Sequence, residues 1–175
     1  MKLRINSLIA AICLLGASAQ ISAREKTKME PNKEAAQKAV AAMKVMKPSE
    51  LPSAKAPAEY FTGEVKLAPV FQGEDPSSMS SGYVCFECAA RSHWHTHPKG
   101  QLLVVTDGEG LIQEWGKPVQ KIKKGDVIWT PPGVKHWHGA STDQTMCHLA
   151  IQESLNGKAV EWLEPVTDEQ YKATK

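Results

Sequence analysis

Three histidines alternate in His93-Trp94-His95-Thr96-His97, and Pro98-Lys99-Gly100-Gln101 follows at once. Imidazole is the commonest protein ligand for a metal ion. In an extended strand, residues two apart lie on one face, with Cα atoms about 6.7 Å apart. Two of these rings can therefore converge on one ion. Gln101 comes four residues after His97, past a turn able to bring its carbonyl oxygen back toward the rings. Downstream, Gly125, Pro131, Gly133 and His136 place a Pro-Gly turn before a strand carrying a further histidine. Such a donor set, three imidazole nitrogens and one amide oxygen, is neutral and leaves the charge of a divalent ion uncompensated. Mixed nitrogen and oxygen donors in six-coordinate geometry suit Mn²⁺ or Fe²⁺. Zn²⁺ also fits, although it prefers four ligands. An uncompensated ion is a strong Lewis acid toward a hydroxyl or carbonyl oxygen. It is also harder to oxidise than a carboxylate-bound iron. No Ser-His-Asp order, phosphate loop or paired-carboxylate motif competes with this site.

The elements that must position these residues read as strands. Phe61–Phe71, Gly82–Cys88, Leu102–Thr106, Gly110–Trp115, Val127–Trp129 and Met146–Gln152 are short β-rich runs. Gln72–Ser81 reads as a polar loop, and Asp107-Gly108-Glu109-Gly110 and Lys124-Gly125-Asp126 as turns. Many short strands without an internal repeat predict an all-β protein with one barrel or sandwich. Thr167-Asp168-Glu169-Gln170 predicts a capping box opening a short C-terminal helix.

Ahead of the strands, Met1–Ala23 has a basic start, a ten-residue apolar run (Leu8 to Ala17) and a small-residue exit. That is the layout of a secretory signal peptide, and it predicts an exported, periplasmic or secreted protein. The run is too short to span a bilayer. Ile12 before Cys13 argues against lipid attachment. Residues 24–57 read as a linker with a possible helix, on a face formed by Ala35, Ala39, Ala42, Met43 and Met46, capped by Asn32 and stopped by Pro48. Residues 58–172 form the barrel domain. Removing Met1–Ala23 takes away Lys2 and Arg4 and leaves basic and acidic residues equal in number. A neutral chain has no electrostatic footprint for nucleic acid or for a membrane surface, so the partner expected is a small molecule. Cys85 and Cys88 lie three apart in a strand, about 10 Å between Cα atoms. That is too far for a disulfide, so they read as buried free thiols rather than a redox pair, with Cys147 alongside.

The two histidine runs match the two motifs of the cupins. The first is normally G-x5-H-x-H-x(3,4)-E-x6-G, and His95, His97, Gln101 and Gly108 fit its spacing; framing on His93 leaves Lys99 or Gly100 at the acidic position. The second, G-x5-P-x-G-x2-H-x3-N, fits from Gly125 through His136. Ala89 stands for the opening glycine, Gln101 for the glutamate and Ala140 for the closing asparagine. The chain further resembles the small single-domain bacterial cupins that include manganese-dependent hydroxynitrile lyases. Tyr60-Phe61-Thr62-Gly63, Trp94-His95-Thr96-His97-Pro98, Lys135-His136-Trp137-His138-Gly139 and His148 through Glu153 carry that resemblance, as does Gly157-Lys158-Ala159-Val160 through Val166-Thr167-Asp168-Glu169-Gln170-Tyr171. It implies a single jelly-roll barrel, metal ligands at His95, His97, Gln101 and His136, bound Mn or Fe, a homodimer or dimer-based homo-oligomer, and pocket roles for His148 and Gln152.

His148 and Gln152 share strand parity, which makes His148 a candidate general base near the metal and puts Gln152 on the same wall. His138 shares a face with His136 but lies farther along its strand, which assigns it to support rather than ligation. His93 is expected at the barrel mouth. Trp94 and Trp137 have the opposite parity to the ligands and are expected in packing, with Trp129 near the same motifs. Three functions follow: a lyase acting on a C–C bond beside a hydroxyl or carbonyl, an Fe-dependent dioxygenase, and a non-catalytic periplasmic binder of a small molecule or metal. Oxygen uptake separates the first two.

Overall fold

A computed structural model describes residues 42–173. The proposed signal peptide, Asn32, Ala35 and Ala39 lie outside the described residues. Met43 to Lys47 is not helical; a single 3-10 turn, Pro48–Glu50, follows. The strands are β1 (Ala54–Lys55), β2 (Phe61–Thr62), β3 (Val65–Gln72), β4 (Met79–Phe86), β5 (Arg91–Ser92), β6 (His95–Thr96), β7 (Gln101–Glu114), β8 (Gln120–Lys123), β9 (Val127–Thr130), β10 (His136–Ala140), β11 (Met146–Glu153) and β12 (Glu161–Trp162). Helix α1 covers Asp168–Lys172.

The strands form an antiparallel jelly-roll barrel, as the resemblance implies. One sheet runs β1-β3-β4-β11-β7-β9; the other runs β2-β5-β10-β7-β8, with β6 on β10 and β12 on β6. The barrel thus begins at Ala54, whose strand pairs with β3, inside the stretch read from sequence as linker. β7 belongs to both sheets. The run Asp107-Gly108-Glu109-Gly110, expected as a turn, lies inside it. Gly108 has φ +71°, and a Cβ there would collide with the carbonyl oxygen of Thr145. Glycine therefore lets one long strand cross from sheet to sheet rather than reverse. β8 was not anticipated: Gln120-Lys121-Ile122-Lys123 offers a single apolar residue, and its pairing with β7 holds it extended.

Alternation is clean where the strands bear the site. In β11, Met146, His148 and Ala150 are buried while Cys147, Leu149 and Ile151 are half-buried. The interior between the sheets holds Val65, Val84, Phe86, Leu103, Val105 and Met146. A second cluster, Trp94, Leu111, Trp137, Val166 and Tyr171, lies under the C-terminal segment, which gives the two tryptophans the packing role their parity predicts. It explains why every residue of β10 is buried: the histidines face inward and Trp137 is covered from outside. The capping box forms as expected, Thr167 Oγ1 accepting from Gln170 N–H at 3.2 Å and Gln170 Oε1 from Thr167 N–H at 3.0 Å. Arg91 donates to Val166 O and to Asp168 Oδ1 (2.7 Å), and Tyr171 Oη to Ala140 O (2.8 Å).

Two expectations about cysteine are corrected. Cys85 is not a free thiol: it forms a disulfide with Cys147, and Cys88 is exposed rather than buried. Cys85 and Cys147 stand directly opposite each other in the β4–β11 register, with Cα atoms 4.1 Å apart. Within one strand the spacing forbids a bridge; across two strands it allows one, and strand pairing 62 residues apart is not readable from local spacing. Trp129 is likewise 56% exposed, outside the packed clusters.

Ala89 has φ +61°. The opening motif position favours glycine for that reason, since an L side chain there costs roughly 1–2 kcal/mol. Ala89→Gly is expected to stabilise the fold by about 0.5 kcal/mol, because glycine's larger unfolded-state entropy offsets part of the relief. The urea midpoint measures it; an unchanged or lower midpoint would show that the turn carries no strain.

Candidate metal centre and pocket

The barrel register assembles the site. His136 pairs with His95 across β10–β6, and Gln152 with Gln101 across β11–β7. His97 follows β6, held by its backbone to Gly133 across the mouth: Gly133 N–H donates to His97 O at 2.9 Å. The rings of His95 and His136 are 4.2 Å apart between centroids, His95 and His97 5.2 Å, and His97 and His136 5.6 Å.

Each of these rings has its Nδ1 on a backbone carbonyl. His95 Nδ1 is 2.9 Å from His93 O, His97 Nδ1 2.7 Å from Ala159 O, and His136 Nδ1 3.0 Å from Val134 O. A neutral imidazole has one N–H, so these carbonyls hold it on Nδ1 and leave the Nε2 lone pair free. Gln101 presents Oε1 to His136 Nε2 at 3.2 Å. Two lone-pair atoms facing each other in a buried site repel unless a cation lies beside them. The residues therefore fit a metal ion.

The second histidine of β10 is closer than sequence reading placed it. The donor atoms of His95, His136 and His138 lie within 4.8 Å of one another, all buried. The signal for this was present: His136-Trp137-His138 repeats the H-x-H pattern of His95 and His97. His138 Nδ1 is 3.1 Å from His148 Nε2, so the two rings share one hydrogen bond. His93, expected at the mouth, is buried; its carbonyl orients His95.

A cavity of about 330 Å³ opens onto this cluster. Its apolar wall includes Tyr60, Phe61, Leu67, Val84, Ala150 and Trp162, with Tyr60 stacked on Trp162 at 4.7 Å. Among the described residues, the buried side-chain polar atoms without a hydrogen-bond partner are His97 Nε2, His138 Nε2, His148 Nδ1 and Gln152 Oε1. All four residues line this cavity. Buried polar groups are normally paired, so a concentration of unpaired ones marks where a metal and a ligand belong. Tyr60, Trp162 and the carbonyl of Ala159 were not singled out from sequence as site groups; a backbone carbonyl leaves no sequence signal.

Burial pushes all six histidines below their ordinary value of 6.5, His136 to about 4 and His148 to about 3. For His95 and His138 the neighbouring imidazoles add to the effect of burial. Above pH 6.5 both folded and unfolded chains hold these rings neutral. Below it the unfolded chain binds protons that the folded chain excludes, so stability is lost as the pH is lowered. The urea midpoint of metal-free protein is expected to be flat from pH 8 to 7 and to drop steadily below about 6.5. A midpoint unchanged down to pH 4.5 would contradict the buried neutral cluster.

Residues 82–152 match the family model described as a cupin domain. The chain is 55% identical over 120 residues to the (R)-mandelonitrile lyase of Granulicella tundricola, covering 69% of this chain and 92% of that protein. A cupin-like protein of Thermotoga maritima superposes with a TM-score of 0.66 at 44% identity, covering 70% of this chain and 93% of that one. A predicted oxalate decarboxylase of the same organism shares the fold alone, at 23% identity and a TM-score of 0.58 over 64% of this chain and all of that one. With its motif histidines drawn together in one jelly-roll barrel, this chain belongs to the cupins and is a homologue of (R)-mandelonitrile lyase.

Proposed function

We propose that the protein is a metal-dependent lyase that splits an aromatic cyanohydrin of the mandelonitrile type into an aldehyde and hydrogen cyanide. The observation that carries this reading is the convergence of four unpaired buried polar atoms on one aromatic-walled cavity. His95, His97, Gln101 and His136 would hold the ion, Mn or Fe by the softness and number of the donors. When bound, it would supply Lewis acidity toward the substrate oxygen.

The remaining steps belong to side chains. Tyr60, Phe61 and Trp162 enclose the aryl group and exclude water. Gln152 donates to Ser80 Oγ at 3.1 Å, which leaves its Oε1 as an acceptor aimed into the cavity, suited to the substrate hydroxyl. The His138–His148 pair takes the hydroxyl proton and passes it along the shared hydrogen bond. As the C=O forms, the bond to the nitrile carbon breaks with its electron pair, and the proton is returned to the departing cyanide. Burial keeps the His148 ring neutral, so a lone pair is available for the hydroxyl proton, and the same burial disfavours the charged ring and drives the proton on to the departing cyanide.

Two further features complete the reading. Val127 and Trp129 are exposed at 63% and 56%. They are in register with Val104 and Leu102, which pair in turn with Leu149 and Ile151. This apolar sheet face supports a homodimer; Val127→Glu is expected to yield a monomer in sedimentation, and an unchanged dimer would remove this face as the interface. The Cys85–Cys147 disulfide supports an oxidising compartment, in line with the N-terminal export signal.

The test is to purify the chain from Arg24 onward with its metal and add (R)-mandelonitrile without oxygen. Benzaldehyde release in the absence of oxygen is expected. Turnover that requires oxygen, or none with stoichiometric metal bound, would overturn the lyase reading.

A further inference from the structure

The barrel wall has a seam on the side away from the aromatic cavity. β8 pairs with Glu109–Ile112 of β7, and β9 pairs with Gln101–Val104 of the same strand. Among the described residues β8 and β9 share no pairing with each other, so the barrel is open between them. A second cavity, about 150 Å³, occupies this seam. Ile112, Ile122, Ile128, Thr130 and Val134 line it, and it ends on His136. His136 lines only this rear cavity, whereas His95, His97 and Gln101 line the front one. The hydrogen-bond-length contact between His136 and Gln101 is thus part of the wall separating two approaches to one site.

We propose that the seam is a second access route to the metal centre, for the small neutral fragment of the reaction, hydrogen cyanide. The proposal rests on the cyanohydrin-lyase reading and deepens it. Cleavage yields one large aromatic product and one product of two heavy atoms. The front cavity is walled by aromatic side chains that hold the aldehyde, and a single mouth would trap the smaller product behind the larger. The rear cavity is less than half the size of the front one, 150 against 330 Å³. Ile112, Ile122, Ile128 and Val134 supply its apolar wall, and Trp129, at the edge of the face assigned above to the dimer, flanks its rim. The charged side chain along it is that of Glu114, which stands opposite His136 in the β7–β10 register. A carboxylate there repels the cyanide anion and admits the neutral acid. The order of events is consistent, because the proton is returned to cyanide before it leaves.

The experiment uses Fe²⁺-loaded full barrel and potassium cyanide at pH 7, where the neutral acid dominates. Arrival at the metal is followed by stopped-flow absorption, with and without saturating toluene, an aromatic occupant of the front cavity that cannot ligate. Ile128→Trp fills the seam from within. Gln120→Trp, at an exposed strand position on its rim, covers the opening without touching the core. The expected result is a toluene-resistant arrival rate in the unsubstituted protein that falls by about tenfold or more in both variants. Toluene binding, read by fluorescence, should be unchanged. If toluene alone suppresses arrival to the same extent in all three proteins, the rear route does not exist. Mandelonitrile cleavage is measured on the same preparations. No benzaldehyde would remove the lyase reading whatever the arrival rates, while benzaldehyde with toluene-blocked cyanide would remove the rear route alone.

Discussion

His97→Ala is expected to lower the metal content from about one ion per chain to near zero, and with it the cleavage activity by at least about a thousandfold. His97 is the clearest ligand by elimination. Its Nδ1 is committed to Ala159 O at 2.7 Å, so its Nε2 is a lone pair, and that atom is buried without a partner. Neutral donors hold an ion by number and geometry rather than by charge, so the loss of one of four is not compensated. Elemental analysis after gel filtration reads the result. His138→Ala is the informative companion. His138 Nε2 is also buried without a partner, but its ring is oriented by His148 rather than by a backbone carbonyl. It is expected to keep its metal. If His97→Ala retains the ion and His138→Ala loses it, the ligands are His95, His136 and His138 instead.

His148→Ala is expected to slow cleavage by about 10²–10⁴-fold, the usual contribution of a positioned acid–base group, with metal content unchanged. The substitution leaves His138 Nδ1 unpaired in the interior, a destabilisation of about 1–3 kcal/mol, so the chain should remain folded at room temperature. Because the two rings act through one hydrogen bond, the double substitution at positions 138 and 148 should be little worse than the single one. Independent, multiplicative losses would show that the rings do not share a proton. An unchanged rate in His148→Ala would leave the protein a metal-binding barrel whose chemistry, if any, lies elsewhere.

Local pattern carried much of this protein. Period-2 alternation located β11 and turned His148 inward, where it is fully buried. The spacing of His95, His97, Gln101 and His136 was legible because each lies at a fixed offset from a turn glycine or proline, and turns are short-range chemistry. The C-terminal capping box was legible for the same reason. Reading failed where a residue's role depended on another strand. The glycines at 108 and 110 look like a turn in isolation, yet pairing with β8, β10 and β11 keeps the chain extended through them.

The sequence by itself thus determined an all-β barrel and a family, and it singled out four neutral donors as candidates for a metal ion. Tertiary structure decided how those donors are oriented and what surrounds them. Cys85 meets Cys147 because two distant strands align. His138 approaches the ligand cluster and hydrogen-bonds His148 because β10 and β11 face each other across the interior. Tyr60 and Trp162, about a hundred residues apart, stack over the cavity. The carbonyls of His93, Val134 and Ala159 select the tautomer of each ring. Backbone carbonyls are the same in every residue, so their contribution arises only when the fold places them.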